Sequence, residues 1–451
     1  MDLLEKIRAG KMSKFQVGVI VTCFLVNIIE GFDIFMMAFV MPALSATWNL
    51  GPVQIGYLLS AALIGMTVGS FALSPLGDRI GRRRLILACL GVVAVGMGLS
   101  YLAADPTQLV FLRALTGLGV GGTMSSVSVL VSEYSTEKHG GLTMGLYTTG
   151  LPLGGLVAGA VIGATVGPWG WRSAFLAGAL ATVLVVAVAS RFLSESLDFL
   201  TMKRPPNALD RVNAILLKMN HPALTELPLR EQAGSPRFSE VLREIFGRRM
   251  LAITVLMWLS FGMLQAAYFS TTSWTPQALT FATGNAQLGV LAGSLVSLGG
   301  ILGSVVFAVL SVWIPKRVLT IAFLGVAAVI YVGFSASLGA VAVALVLAVA
   351  LGLVNNASIA GFYTLGPRVY SPVARATGFG WILGAGRIAS FAAPIVVGYL
   401  IGAGWSIQTI FIAFAVPMVV SSVLLVMVTA LERRRSMLPQ GEVALAGNTS
   451  A

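Results

Sequence analysis

Four charged residues stand inside long apolar runs of this chain: Glu30, Asp33, Arg113 and Arg387. Charge kept in an apolar environment is costly and points to function. Glu30 and Asp33 are three residues apart, which puts them on one face of a helix. Two carboxylates so close in a low dielectric cannot both ionise cheaply, so they can form a site that takes up and releases a proton. A structural hydrogen-bonding pair between helices is the alternative. Arg113 lies about five residues, or ~7 Å, into its run. There it can pair with one of those carboxylates or serve as a structural arginine reaching toward water. Arg387 sits halfway along its run and needs an anion. A guanidinium fits a carboxylate in a two-pronged fork, supplied by a solute or by an internal ion pair. Asn355 and Asn356 can bond a ligand hydroxyl or a neighbouring helix. Phe32, Phe35, Tyr268, Phe269, Trp274, Phe362, Tyr363 and Trp381 interrupt the same runs. Rings there suit a ring-shaped ligand, and equally suit helix packing or an interfacial belt, which is the reading for Trp48, Trp169 and Trp171.

Other chemistries lack their residues. There is no G-x-x-x-x-G-K-[ST], G-x-S-x-G or H-E-x-x-H. The two histidines, His139 and His221, and the two cysteines, Cys23 and Cys89, offer neither a metal motif nor a disulfide framework. The expectation is a protein that is not an enzyme, holds no metal or cofactor, and draws energy from an ion or solute gradient, with protons as the coupling ion.

The elements that must position these residues are membrane spans. Apolar residues are 57% of the chain and charged residues 10%, against roughly 45–50% and 25% in soluble domains. A spanning helix needs about 20 mostly apolar residues. Such runs occur at 17–43, 54–74, 85–103, 109–132, 142–166, 173–191, 250–274, 287–311, 319–338, 341–367, 376–400 and 408–430. The first is too long, and too interrupted by Glu30 and Asp33, for a cleaved signal peptide. The organisation is six spans (1–191), a polar central loop (192–249), six spans (250–435) and a tail (436–451) expected to be disordered. With the amino terminus placed in the cytoplasm, 26 of the 29 Lys and Arg fall on cytoplasmic segments and only Arg172 on the other side. That asymmetry predicts both termini in the cytoplasm. It also accounts for the net charge of +12 without nucleic acid. The expected setting is the inner (plasma) membrane, as a monomer in the lipid bilayer. Glycines four apart, above all Gly155, Gly159, Gly163 and Gly167, predict close helix packing, and prolines within the spans (Pro152, Pro276, Pro367, Pro394) allow bending.

Ser74-Pro75-Leu76-Gly77-Asp78-Arg79-Ile80-Gly81-Arg82-Arg83, after the second span, resembles the G-x-L-x-D-R-x-G-R-R loop of the major facilitator superfamily, with Ser74 for the first glycine. Arg113 with Gly117, Gly119, Gly121 and Gly122 is similar to that superfamily's fourth-span motif. A narrower resemblance is to the aromatic acid:proton symporters. Glu30-Gly31-Phe32-Asp33 looks like their D-G-x-D, with glutamate for the first aspartate. Gly150 to Gly155, Ser194 to Leu200, Trp274-x-Pro276 and Arg375 to Arg387 resemble further patterns of that family. The second-half counterpart of the Asp78 loop, Ser311 to Arg317, lacks the acid.

The resemblance implies an all-α membrane protein: twelve transmembrane helices in two pseudo-symmetric six-helix bundles, with a substrate site at the midplane. It implies that spans 1, 4, 7 and 10 face the cavity, bringing Glu30, Asp33, Arg113, Trp274, Asn355 and Tyr363 toward it and Arg387 from the side. The function implied is secondary active uptake of a benzoate- or hydroxybenzoate-like carboxylate with protons. Glu30, Asp33 and Arg113 would couple protons. Arg387, Phe32, Trp274, Asn355, Asn356, Tyr363 and Trp381 would bind substrate, and Asp78, Arg79, Gly81 and Arg82 would gate. An exporter on the same fold, a carrier of another organic acid and a non-transporting receptor are the alternatives.

Overall fold

The computed structural model describes residues 10, 12–227, 238–371 and 374–437, and among these there is no strand. The first half holds α1 (Lys14–Trp48), α2 (Pro52–Ala72), α3 (Ser74–Ile80), α4 (Arg82–Tyr101), α5 (Pro106–Tyr134), α6 (Gly140–Trp169) and α7 (Arg172–Phe192). Three short helices follow: α8 (Leu197–Lys203), α9 (Ala208–Lys218) and α10 (Phe238–Phe246). The second half holds α11 (Arg248–Thr283), α12 (Ala286–Leu310), α13 (Lys316–Ser337), α14 (Val341–Val369), α15 (Arg375–Gly402) and α16 (Ile407–Met437). Among the described residues, twelve helices are long and apolar enough to cross a membrane: α1, α2, α4, α5, α6 and α7 as spans one to six, and α11 to α16 as spans seven to twelve. Many carry large apolar side chains on their outer faces, such as Leu180, Leu184, Val329 and Val346. A helix apolar all round belongs in hydrocarbon, where its backbone bonds are satisfied internally.

Local signals set the helix ends. Ser13 caps α1, its hydroxyl accepting from Gln16 N at 3.2 Å while Gln16 Oε1 accepts from Ser13 N at 2.8 Å. Asp105 caps α5 through Gln108 N at 2.9 Å, with Pro106 in the first turn. Asn49 at φ 49° and Gly284 at φ 68° close α1 and α11.

Three boundaries differ from the sequence reading. The seventh span continues to Thr283 rather than 274, because Thr275, Pro276, Gln277 and Thr280 dilute the hydropathy of turns that stay helical. Residues 74–80 form a helix, with the turn confined to Gly81 at φ 104°. The central segment 192–249 is not merely a loop. In α9 the buried stripe Ala208, Val212, Ile215 and Leu216 packs on the first bundle, a spacing masked by intervening charges. The expected tail lies, from residue 438 on, outside the described residues, as do Arg230 and Arg237.

The halves repeat one packing plan. Spans two and four, one and five, and three with four and six pair in the first bundle; eight and ten, seven and eleven, and nine with ten and twelve pair in the second. Across the bundles, α2 meets α15 and α6 meets α12. Their closest backbone approaches lie away from the end that carries the basic connecting segments. There Gly56 faces Pro394 and Gly398, and Tyr57 Oη and Tyr399 Oη are 3.0 Å apart. A Cβ on Gly159 would stand 1.8 Å from Ser294 Oγ, and one on Gly155 2.5 Å from Ser297 Oγ. Gly155 and Gly159 thus form the seam between bundles, whereas a Cβ on Gly163 would stand 3.9 Å from Val290 and one on Gly167 would meet nothing within 4 Å. α5 and α14 make no extended contact with the opposite bundle, and Tyr363 on α14 is 50% exposed. The groove between the bundles therefore opens toward the basic end.

Candidate functional site

The two α1 carboxylates lie on one face yet have different partners. Asp33 and Arg113 are both 0% exposed. Arg113 Nη1 donates to Asp33 Oδ1 at 2.5 Å and Nη2 to the Asp33 carbonyl at 2.7 Å. Asp33 Oδ2 and Arg113 Nε have no partner among the described residues. This is a closed ion pair within the first bundle, and it fulfils the expectation that Arg113 meets a carboxylate of the first span. Glu30, one turn nearer the basic end, is 1% exposed. Its Oε1 accepts from the Thr123 hydroxyl of α5. Its Oε2 is buried without a partner among the described residues.

Arg387 enters from the second bundle. It makes no ion pair among the described residues; Nη2 lies 3.7 Å from Met124 Sδ of α5. Met124 follows Thr123 directly, so the guanidinium reaches the rung that holds Glu30. Glu30 and Tyr363 are both within its electrostatic range. Tyr363 turns its ring edge-on to Phe379 at 5.5 Å. Tyr147 of α6 completes the group, its hydroxyl 3.5 Å from the Met124 carbonyl. The structure thus joins Glu30, Thr123, Met124 and Tyr147 of one bundle with Arg387 and Tyr363 of the other. A free guanidinium, a buried carboxylate with an open oxygen and two phenols can hold an organic anion and a proton side by side.

Several expected cavity residues sit elsewhere, which corrects the reading that whole spans face the cavity. Phe32 packs toward Gly178 of α7 beside Met97, inside the first bundle. Trp274 is 1% exposed and donates from Nε1 to the Pro394 carbonyl at 3.3 Å, tying α11 to α15. Asn355 is buried in a chain in which Thr271 donates to Tyr331 Oη at 2.6 Å and Tyr331 to Asn355 Oδ1 at 3.3 Å. The reason is helical period: neighbouring side chains differ by about 100°, so a span shows a groove only a narrow stripe. Asn356, the next residue, instead lies against Gly300 and near Pro152 at the seam. Trp381 stacks on Trp258 at 5.5 Å and 14° and meets Phe246 edge-on, nearer the basic end than Arg387. Trp171 is buried, held edge-on between Trp48 and Phe175, so it is not a belt residue; Trp169 is exposed.

At the basic end, Asp78 of α3 is 3.5 Å from Arg82 of α4 across the Gly81 turn, and Arg79 is exposed. Arg82 also meets Glu133 at the end of α5. Glu133 accepts from Ser196 Oγ at 2.9 Å and Leu197 N at 3.1 Å. Glu195 accepts from Arg83 N at 3.1 Å, and its side chain lies where a Cβ on Gly81 would be. The Asp78 turn is therefore locked to the ends of α5 and α7 within its own bundle. Thr123, Met124, Tyr147 and Glu133 were not singled out in the sequence. Hydroxyl and thioether side chains are ordinary in spans, and Glu133 falls one residue past its apolar run.

The comparisons with known proteins agree with this architecture. Over 94% of its length and 94% of the relative's, the chain is 30% identical to the 4-hydroxybenzoate transporter PcaK of Pseudomonas putida. It is 26% identical to the gallate transporter of Pseudomonas putida, with 92% of each chain covered. It is also 26% identical to the benzoate transport protein of Acinetobacter baylyi, covering 94% of this chain and 91% of that one. Among solved structures, the D-xylose-proton symporter superposes with a TM-score of 0.73 at 14% identity, covering 91% of this chain and 97% of that one, which shows the fold. The Major Facilitator Superfamily profile matches residues 23–394. This match, the transporter relatives and the repeated six-span packing establish that the chain is a membrane transporter of the major facilitator superfamily.

Proposed function

We propose that the protein takes up an aromatic carboxylate of the benzoate or hydroxybenzoate type together with protons, by alternating access, in the plasma membrane with both termini in the cytoplasm. The observation that carries this is Arg387, a guanidinium without a carboxylate partner among the described residues, within electrostatic reach of buried Glu30, whose Oε2 has no partner among them either. A carboxylate solute would supply the anion that Arg387 lacks. Glu30 would carry the proton, since Asp33 is committed to Arg113. Tyr363 and Tyr147 offer phenol edges to a ring. The names of the relatives support an aromatic solute.

Charge balance limits the coupling. Moving one charge through 100 mV is worth about 2.3 kcal/mol. A monoanion carried with one proton draws only on the pH difference; with two it also draws on the voltage. The test is uptake of labelled 4-hydroxybenzoate into proteoliposomes under an acid-outside gradient, with benzoate, gallate and aliphatic acids as competitors. Accumulation abolished by a protonophore is expected. Accumulation indifferent to the gradient would overturn the coupling, competition by aliphatic acids alone would overturn the aromatic solute, and net extrusion would make the protein an exporter.

A further inference from the structure

A crevice of about 490 Å³ lies at the end away from the basic segments, between α1–α2 and α11; its walls include Pro42, Ser45, Pro52, Ile55, Gln277 and Phe281. Pro42 is twelve residues along α1 from Glu30, or ~18 Å at the helical rise, so this is a place apart from the Arg387 site. Among the described residues no charged side chain lines it. Gln277, in its floor, is 0% exposed, and neither its amide nitrogen nor its amide oxygen has a partner among the described residues. An unpaired buried amide is costly, and a ligand that bonds it recovers that cost. Ser45 and Thr280 turn their protons to the carbonyls of Pro42 and Pro276, at 3.1 and 2.8 Å, leaving only lone pairs toward the crevice.

This chemistry selects its occupant. A carboxylate would lose its water here with no cation to replace it. An aliphatic chain would leave the amide unpaired. A neutral hydroxyl on a flat apolar ring meets both demands: its O–H donates to Gln277 Oε1, its oxygen accepts from Nε2, and the ring lies on Pro42, Pro52, Ile55 and Phe281. We propose that this crevice binds the phenolic end of a hydroxylated arene. If the transported solute is the aromatic acid proposed above, the crevice is an outer station that takes hydroxybenzoates ring-hydroxyl first, with the carboxylate left in water, and passes over benzoate.

Photolabelling of the full chain in liposomes with 4-azidophenol, mapped by mass spectrometry, tests this. This probe lacks the carboxylate that Arg387 would hold, so the outcome does not depend on what is transported. Labelling should fall within 42–55 or 277–281, be displaced by phenol and not by toluene, and drop about tenfold or more in Gln277→Leu, which removes both hydrogen bonds to the hydroxyl. Labelling elsewhere, displacement by toluene as well as by phenol, or full labelling of the variant would overturn the inference. The wild-type map decides even where the variant folds poorly. Failure of the transport reading shows separately, as absent 4-hydroxybenzoate uptake with labelling intact.

Discussion

Glu30 and Asp33 share a helical face, but their partners assign them different duties. Asp33 is sealed against Arg113, and removing one member of a buried pair costs about 3–5 kcal/mol, chiefly by stranding the other charge. Asp33→Asn should therefore lower the thermal unfolding midpoint in detergent, and Asp33→Asn with Arg113→Gln should recover part of the loss. A single variant as stable as wild type would refute the sealed pair. Glu30→Gln keeps the shape and the acceptor for Thr123. It should retain solute exchange across a membrane but lose accumulation driven by a pH gradient. Equal accumulation by variant and wild type would remove Glu30 from coupling. Arg387→Lys keeps the charge but loses the fork, so half-saturation should rise about tenfold or more, one to two hydrogen bonds' worth. An unchanged half-saturation would move the anion site elsewhere.

Among the elements, the α2–α15 and α6–α12 contacts decide which end is shut. A Cβ on Gly398 would sit 2.6 Å from the Pro52 carbonyl, and backbone cannot step aside as a side chain can. Overpacking of this kind costs about 1–3 kcal/mol. Gly398→Val should prop that end open, raising thiol labelling of a Ser45→Cys reporter and slowing uptake; unaltered labelling would mean the contact does not hold the closure. The spans themselves were legible in the sequence, because twenty apolar residues in a row have no other use. So was Arg113 facing the first span. What was not legible was rotation about each helix axis. Asn355 and Asn356 are indistinguishable by hydropathy, and only the neighbouring helices decide which one turns into its own bundle and which lies at the seam. Thr123 was hidden for the same reason: its hydroxyl matters only because Glu30 lies across from it.

For the whole molecule, the repeat of one packing plan makes each half a body that can move as a unit. The Arg82–Glu133 and Arg83–Glu195 contacts bind the basic end of the first half internally. The second half has its own tie, where Ser371 N and Oγ donate to Glu244 of α10 at 3.2 and 2.8 Å. Breaking the first set with Glu133→Gln should therefore alter transport rate more than solute affinity. A change confined to affinity would show instead that the lock shapes the binding groove.

Among the described residues, the α6–α12 stretch of the seam carries no hydrogen bond between the halves; the Tyr57–Tyr399 pair belongs to the α2–α15 contact. Ser294 and Ser297 donate to the Val290 and Gly293 carbonyls of their own helix, at 2.8 and 3.3 Å, so parting from Gly159 and Gly155 exchanges no hydrogen bond with water. Only small-group dispersion is forfeited, about 0.1–0.2 kcal/mol for each atom pair. Turning a population from 1:99 to 99:1 takes about 5.5 kcal/mol of preferential binding. A seam made of glycine and self-satisfied serine keeps the two shapes of the carrier near enough in free energy for one small solute to tip the balance.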